Sequence, residues 1–116
     1  MPVGARTSWN PIVCDAIRRR VLISFDYDDE PRIVAPYCHG LTTAQRQAVR
    51  AVQILGGSRS GDIGTGKLWS IDKLHGLRVT DEPFLPTDPR YNPNDKAFAI
   101  IHCCIEPDGP KRRRAR

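Results

Sequence analysis

The sequence has no long apolar run and few aromatic residues. No stretch approaches the ~20 apolar residues that a membrane-spanning helix needs, so we predict no contact with a membrane. Residues 1–10 lack the basic start and the apolar run of a signal peptide, which favours a cytoplasmic location. Because thiols stay reduced in that compartment, we expect the four cysteines to be free.

Patterns that would indicate catalysis or a metal site are also missing. The histidines and cysteines do not follow the spacing of zinc ligands, and no carboxylate pair or catalytic triad stands out. The residues concerned are His39, His75, His102, Cys14, Cys38, Cys103 and Cys104. The sequence thus predicts a protein that is not an enzyme and that uses neither a metal ion nor a cofactor.

A glycine-rich segment has most of the spacing of a phosphate-binding P-loop. Residues 61–67 read glycine, four residues, glycine and lysine. Leu68 stands where the motif needs a hydroxyl group, and the following residues alternate like a strand, whereas a P-loop leads into a helix. We interpret the segment as a loop between two strands, on which Arg59 and Lys67 can still meet a phosphate.

Length and charge indicate one domain with anionic partners. The chain has 116 residues, enough for a single modest core. Its formal net charge of +5 favours anions such as nucleotides or nucleic acid. Part of that charge lies in the run 111–116, which is typical of a solvated tail. We predict a flexible leader over residues 1–9, one domain over 10–106 and a disordered basic tail over 107–116.

One helix is predicted near the start of the domain. Asn10 can cap it, Pro11 fits its first turn, and the arginines at 18–20 suit the negative end of the helix dipole. Its apolar face is expected to contain Ile12, Val13, Ala16 and Ile17.

Alternation of apolar and polar residues predicts a series of short strands. They are expected over residues 21–27, 32–37, 48–55, 67–72 and 96–105, with a further extended piece around a turn at His75 and Gly76. The last of these segments also matches helical spacing. Residues 38–47 and 81–93 are interpreted as connections, and Pro36 is expected at an edge or a strand end because it has no N–H.

These elements predict an α+β fold. One N-terminal helix precedes five to six short antiparallel strands. We expect the sheet to close into a small barrel, because closure removes the exposed edges that short strands otherwise present.

The order of these elements and their residues resembles the WYL domains, small bacterial ligand-sensing modules often attached to DNA-binding regulators and to defence systems. The resemblance runs from about Ile12 to Ile105. It rests on residues 16–20 (AIRRR), 23–27 (ISFDY), 32–37 (RIVAPY), 50–55 (RAVQIL) and 68–74 (LWSIDKL). The Trp-Tyr-Leu tripeptide that names the family is absent, and Ser70 stands where many relatives carry a basic residue.

The resemblance implies an Sm-like β-barrel with a helix packed on it, and ligands that are nucleotides or single-stranded nucleic acid. Together with Lys67 of the glycine-rich loop, it implies a ligand-binding surface that contains Tyr27, Arg32, Arg50, Arg59, Lys67 and Lys73. Arginine can hold a phosphate with two hydrogen bonds, and tyrosine can stack on a base. An alternative for Arg32 and Arg50 is cross-strand pairing with acidic residues.

The leading functional hypothesis is a non-enzymatic sensing module. It would recognise a phosphate-bearing ligand and regulate a partner, for example in transcription or defence. One alternative is a structural domain that forms homo-oligomers by pairing strand edges. The other is an enzyme acting on nucleotides, for which the sequence offers no base or metal site.

Overall fold

The part of the chain that the structure describes comprises residues 10–56, 66–86, 91 and 94–105, in a computed structural model. The predicted leader 1–9 and the predicted tail 107–116 lie outside the described residues, as does Arg59 in the glycine-rich loop.

Helix α1 spans Pro11–Arg19 and begins as the sequence predicts. The Asn10 side chain accepts hydrogen bonds from the N–H groups of Ile12 and Val13, at 2.9 and 3.1 Å. Arg20 ends the helix in the left-handed conformation, with φ 56°, and its N–H points back to two carbonyls of the last turn. The buried face contains Val13, Cys14, Ala16 and Ile17. Ile12 was predicted on that face but is exposed.

In the part of the chain that the structure describes, six strands form one antiparallel sheet. They are β1 (Val21–Tyr27), β2 (Glu30–Thr42), β3 (Gln47–Gly56), β4 (Gly66–Ser70), β5 (His75–Pro83) and β6 (Phe98–Cys104), with a 3-10 turn at Ile71–Lys73 before β5. The strand order is β4-β3-β2-β1-β5, and β6 pairs with β2 outside this path. The α+β class and a strand at the final apolar segment are confirmed.

Strand β2 is the longest of the described strands, and it pairs with three other strands. One of its sides pairs with β3, while its other side pairs with β1 as far as Val34 and with β6 from Cys38 onward. Pro36 lies in the gap between β1 and β6, so its missing N–H breaks no ladder there. The prediction that this strand ends at Tyr37 and that residues 38–47 are a connection was wrong, because pairing with β3 and β6 continues the strand to Thr42.

Gly40 allows β6 to lie close to β2. A Cβ atom at this position would collide with the carbonyl oxygen of Ile100 and would lie 3.0 Å from the Cα of Ile101. The residue is therefore fixed by the close approach of two backbones and does not mark the loop that its presence suggested in the sequence.

The two strands at the ends of the sheet, β4 and β5, are joined by only four residues. Among the described residues they do not pair with each other, so the predicted closure into a barrel is not confirmed. The short connection requires that the sheet curve enough to bring its two ends near each other. The core fills the resulting concave side and contains Ile23, Phe25, Val34 and Val49, together with the apolar face of α1.

A disulfide bond joins helix α1 to the sheet. Cys14 of α1 is bonded to Cys103 of β6, with the Cα atoms 5.8 Å apart. The prediction of four reduced thiols was wrong for this pair, and only Cys38 and Cys104 are free. The spacing of the cysteines could not reveal the bond, because four cysteines allow three different pairings.

Within the described residues, no helix is long and apolar enough to cross a membrane.

Candidate functional site

Four strands bring aromatic and polar side chains together at one end of the sheet. Arg32 lies opposite Phe25 in the β1–β2 pair, and Gln53 lies opposite Val34 in the β2–β3 pair. Residues opposite each other share a face, and alternate residues repeat it, so the sheet aligns these side chains on its concave side. We call Tyr27, Arg32, Gln53, Lys67 and Trp69 the Arg32 cluster.

Arg32 is the centre of this cluster and is only 6% exposed. Its Nη2 donates to the carbonyl oxygen of Tyr27 at 3.1 Å, and its Nη1 donates to Oε1 of Gln53 over a long 3.4 Å. Its Nε is buried and has no hydrogen-bond partner. None of the carboxylates in the described ranges forms an ion pair with it. The predicted alternative of cross-strand pairing with an acid is therefore not what the described residues show for Arg32.

The aromatic residues around Arg32 pack edge to face. The rings of Tyr27 and Trp69 have centroids 4.9 Å apart at an angle of 80°, and Phe25 lies 5.4 Å from Trp69. The indole N–H of Trp69 donates to the carbonyl of Ala51 at 3.2 Å, which fixes the ring. The cluster thus holds a rigid aromatic wall beneath the guanidinium group.

Two cationic side chains, Arg32 and Lys67, lie close to these aromatic rings. The guanidinium carbon of Arg32 lies 5.8 Å from the centroid of Tyr27 and 5.7 Å from that of Trp69. The Nζ of Lys67 also lies 5.7 Å from the Trp69 centroid. Such distances are typical of cation–π attraction. The β3–β4 register explains the arrangement, because Lys67 lies opposite Ala51 and Trp69 lies opposite Val49.

The Arg32 cluster contains a buried positive charge whose Nε–H has no hydrogen-bond acceptor. An unsatisfied buried donor destabilises a protein by about 1–3 kcal/mol, and more when the group is charged. Cation–π attraction offsets part of the desolvation of Arg32, but the Nε–H still has no acceptor. An anion that reached this group would supply both the missing charge and the missing acceptor.

Arg50 lies on the other face of the sheet, away from the Arg32 cluster. Arg50 is adjacent to Ala51 on β3, and adjacent residues of a strand point to opposite faces. Ala51 lies opposite Lys67 and shares its face, so Arg50 points to the other face. Its Nε and Nη2 donate to the two carboxylate oxygens of Asp95, at 2.7 and 3.2 Å. This hydrogen bond to Arg50 lowers the pKa of Asp95. The structure thus gives Arg50 the acidic partner that the alternative interpretation proposed.

The remaining predicted site residues are placed as follows. Tyr27, Arg32 and Lys67 are brought together, Arg59 lies outside the described residues, and Lys73 is an exposed residue of the 3-10 turn. The set of site residues predicted from the sequence did not include Gln53 or Trp69. The alternation of β3 could have placed Gln53 beside Ala51 on the buried face, but its contact with Arg32 depends on the β2–β3 register.

The buried His39 and the half-buried His102 form a separate contact. His39 is fully buried, and its Nε2 accepts the N–H of Asn10 at 2.8 Å. Its Nδ1 lies 2.8 Å from the carbonyl of Ala48 and must therefore carry the proton. The ring of His102 lies 5.1 Å away. No group of three metal-ligating side chains occurs among the residues that the structure describes.

Compared with known proteins, this chain matches no family model, no curated protein and no solved structure. The resemblance to WYL domains stays a prediction.

Proposed function

We propose that this protein is a binding module for a phosphate-bearing ligand and that the Arg32 cluster is its binding site. The observation that carries the proposal is the buried guanidinium of Arg32, which has an unpartnered Nε and no carboxylate partner among the described residues. A buried charged group that lacks a hydrogen-bond acceptor is unusual unless a bound group supplies that acceptor. A phosphate oxygen is such a group, because it accepts several charge-assisted hydrogen bonds at once.

The other members of the cluster suit a nucleotide or the end of a single strand. Lys67 supplies a second cation beside the same indole ring, and its side chain is only half-buried. Tyr27 is also half-buried, and an aromatic ring beside arginine is suited to stacking on a base. Trp69 is 2% exposed, and its role is to support the two cations from below.

The proposal includes a non-enzymatic role as a sensor that regulates a partner. It also includes closure of the curved sheet into a small barrel, which the four-residue connection between β4 and β5 supports. The predicted cytoplasmic location receives no support from the Cys14–Cys103 bond, because disulfides persist mainly in oxidising compartments.

The test is the replacement of Arg32 by methionine. Replacing a buried charge with an apolar side chain of similar length is often neutral or stabilising, so the free Arg32→Met protein should melt at or above the temperature of the unchanged protein. Its affinity for the ligand should fall by about 10–100-fold, since hydrogen bonds to charged groups contribute about 1.5–3 kcal/mol. The measurement is a thermal-shift titration with AMP and with a short single-stranded oligothymidylate.

Arg50→Met is the matched control, because it removes an arginine from a neighbouring strand on the opposite face. It leaves Asp95 unpaired, so the free protein should melt at a lower temperature while the ligand-induced shift is retained. The proposal fails if Arg32→Met keeps the full shift with both probes, or if Arg50→Met alone abolishes it.

A further inference from the structure

Two free cysteines face each other on the side of the sheet away from the Arg32 cluster. Cys38 of β2 lies directly opposite Cys104 of β6 in the antiparallel register. Cys38 also lies opposite Arg50, which places the pair on the same face as that arginine. Their neighbour Cys103 points to the other face of β6 and is already bonded to Cys14. We call Cys38 and Cys104 the thiol pair.

The backbone geometry at the thiol pair suits a disulfide. The N–H of Ile105 donates to the carbonyl of Tyr37 at 2.8 Å, which marks Tyr37 and Ile105 as a hydrogen-bonded pair of the ladder. The next pair, Cys38 and Cys104, is therefore of the non-hydrogen-bonded kind, in which the Cα atoms lie about 4.5 Å apart and the side chains are closest. That separation lies within the range of about 4.4–6.8 Å that disulfides span.

The two thiols differ in access to solvent. Cys38 is fully buried, and burial raises its pKa to about 12, with further contributions from the Cys104 thiol and the Asp95 charge. Cys104 is half-buried and therefore reachable. The hydroxyl group of Tyr91 donates to the carbonyl of Ile105 at 2.6 Å, next to Cys104. Burial is the main cause that raises the pKa of Tyr91, and a hydrogen bond with Cys104 contributes further, so the hydroxyl group stays protonated.

We propose that Cys38 and Cys104 form an oxidisable dithiol that a small-molecule disulfide, such as oxidised glutathione, converts into a second disulfide bond of the protein. The proposal is independent of the function assigned to the Arg32 cluster.

The reaction has two exchange steps. Cys104, as the thiolate, attacks one sulfur of oxidised glutathione, forms a mixed disulfide and releases one glutathione thiolate, which takes up a proton. Cys38 then loses its proton to solvent and attacks the Cys104 sulfur. The Cys38–Cys104 bond forms, and the second glutathione leaves and is protonated. Two protein thiols are oxidised, and one oxidised glutathione is reduced to two glutathione molecules.

Oxidation would tie β6 to two elements at once. Cys103 already links the strand to α1, and Cys104 would link it to β2. Because burial raises the pKa of Cys38, the second exchange step should accelerate as the pH rises.

The experiment treats the unchanged protein, with Cys14–Cys103 intact, with oxidised glutathione and then counts free thiols after unfolding. The expected result is a fall from two free thiols to none without glutathione remaining attached. A product that stops at a stable glutathione adduct, or two thiols that stay unreacted, would overturn the proposal.

Two double variants identify the bond. Cys103 and Cys104 lie on one tryptic peptide, 97–111, so the pairing is read in a Cys14→Ser, Cys103→Ser protein that retains only the thiol pair. Oxidation should join the peptide 33–46 to the peptide 97–111.

The matched control is Cys14→Ser with Cys104→Ser. It retains Cys38 and Cys103, which lie on opposite faces of the sheet, so it should not cross-link. Equal cross-linking in both variants would contradict the register on which the proposal depends. Circular dichroism establishes that each variant is folded before oxidation.

Discussion

Reduction of the Cys14–Cys103 bond is expected to lower the melting temperature by roughly 20 °C or more. The bond closes a loop with a sequence separation of 89 residues, and removing such a link adds about 4–5 kcal/mol of chain entropy to the unfolded state. For a domain of this size, each kcal/mol corresponds to roughly 4–8 °C. Thermal unfolding by circular dichroism, with and without dithiothreitol, measures this decrease in melting temperature.

The control for this prediction is the Cys14→Ser, Cys103→Ser protein. It should melt near the temperature of the reduced protein, and dithiothreitol should not change that temperature further. If reductant lowers the melting temperature of the double variant as much as that of the unchanged protein, the stabilising bond lies elsewhere. If reductant has no effect on the unchanged protein, the helix is held by packing alone.

Acidification from pH 6.5 to about pH 4 is expected to remove about 3 kcal/mol of stability through His39. Burial lowers the pKa of His39 from 6.5 to about 4 in the folded state. Between these values the unfolded chain binds a proton that the folded chain excludes, so the free energy of unfolding falls as the pH falls. Below about pH 4 both states are protonated, and the loss from this group levels off.

The hydrogen bonds of His39 give this pH dependence a structural cause. Its Nε2 accepts the N–H of Asn10, the residue that caps α1, and protonation of Nε2 would remove that acceptor. Burial also lowers the pKa of the neighbouring His102, so protonation of this group adds to the loss as the pH falls below 6.5. Asp95, whose pKa is lowered by its hydrogen bond to Arg50, contributes stability that is lost only below the ordinary carboxylate pKa.

Urea unfolding at a series of pH values tests this prediction. His39→Gln should flatten the dependence between pH 6.5 and 4, whereas His75→Gln, which changes an exposed histidine, should leave it as it is. His102→Gln should remove a smaller share. An unchanged slope in His39→Gln would show that another group controls the pH dependence.

Local patterns predicted most elements of this fold, but they did not predict the length of β2, the extension of β5 to Pro83 or the 3-10 turn that begins at Ile71. The cap at Asn10, the alternation of β1 and the apolar run of β6 were visible in the sequence, and all three elements occur as expected. The segment that contains Gly40 and Thr42 carries loop-like residues, and it becomes a strand because β3 and β6 pair with its two sides. Such pairing depends on residues far away in the chain, which local propensity does not report.

The candidate site could likewise be predicted only in part, because it depends on pairing between distant strands. The resemblance to WYL domains implied that Tyr27 and Arg32 belong to a ligand-binding surface, and the glycine-rich loop directed attention to Lys67. Their meeting around Trp69 depends on the registers of three strand pairs, and so does the separation of Arg50 to the opposite face. The surface that the resemblance implied therefore included Arg50, which the strand registers place on the opposite face.

The most direct test of the Arg32 site is the NMR signal of the Arg32 Nε–H group. Its side-chain ¹H–¹⁵N resonance can be assigned by its absence in Arg32→Met and then followed during titration with AMP or oligothymidylate. We expect a saturable shift of this resonance, with no comparable change at the Nε of Arg50, which is held by Asp95. An unchanged Arg32 resonance at saturation, or a response confined to Arg50, would contradict a phosphate site at the Arg32 cluster.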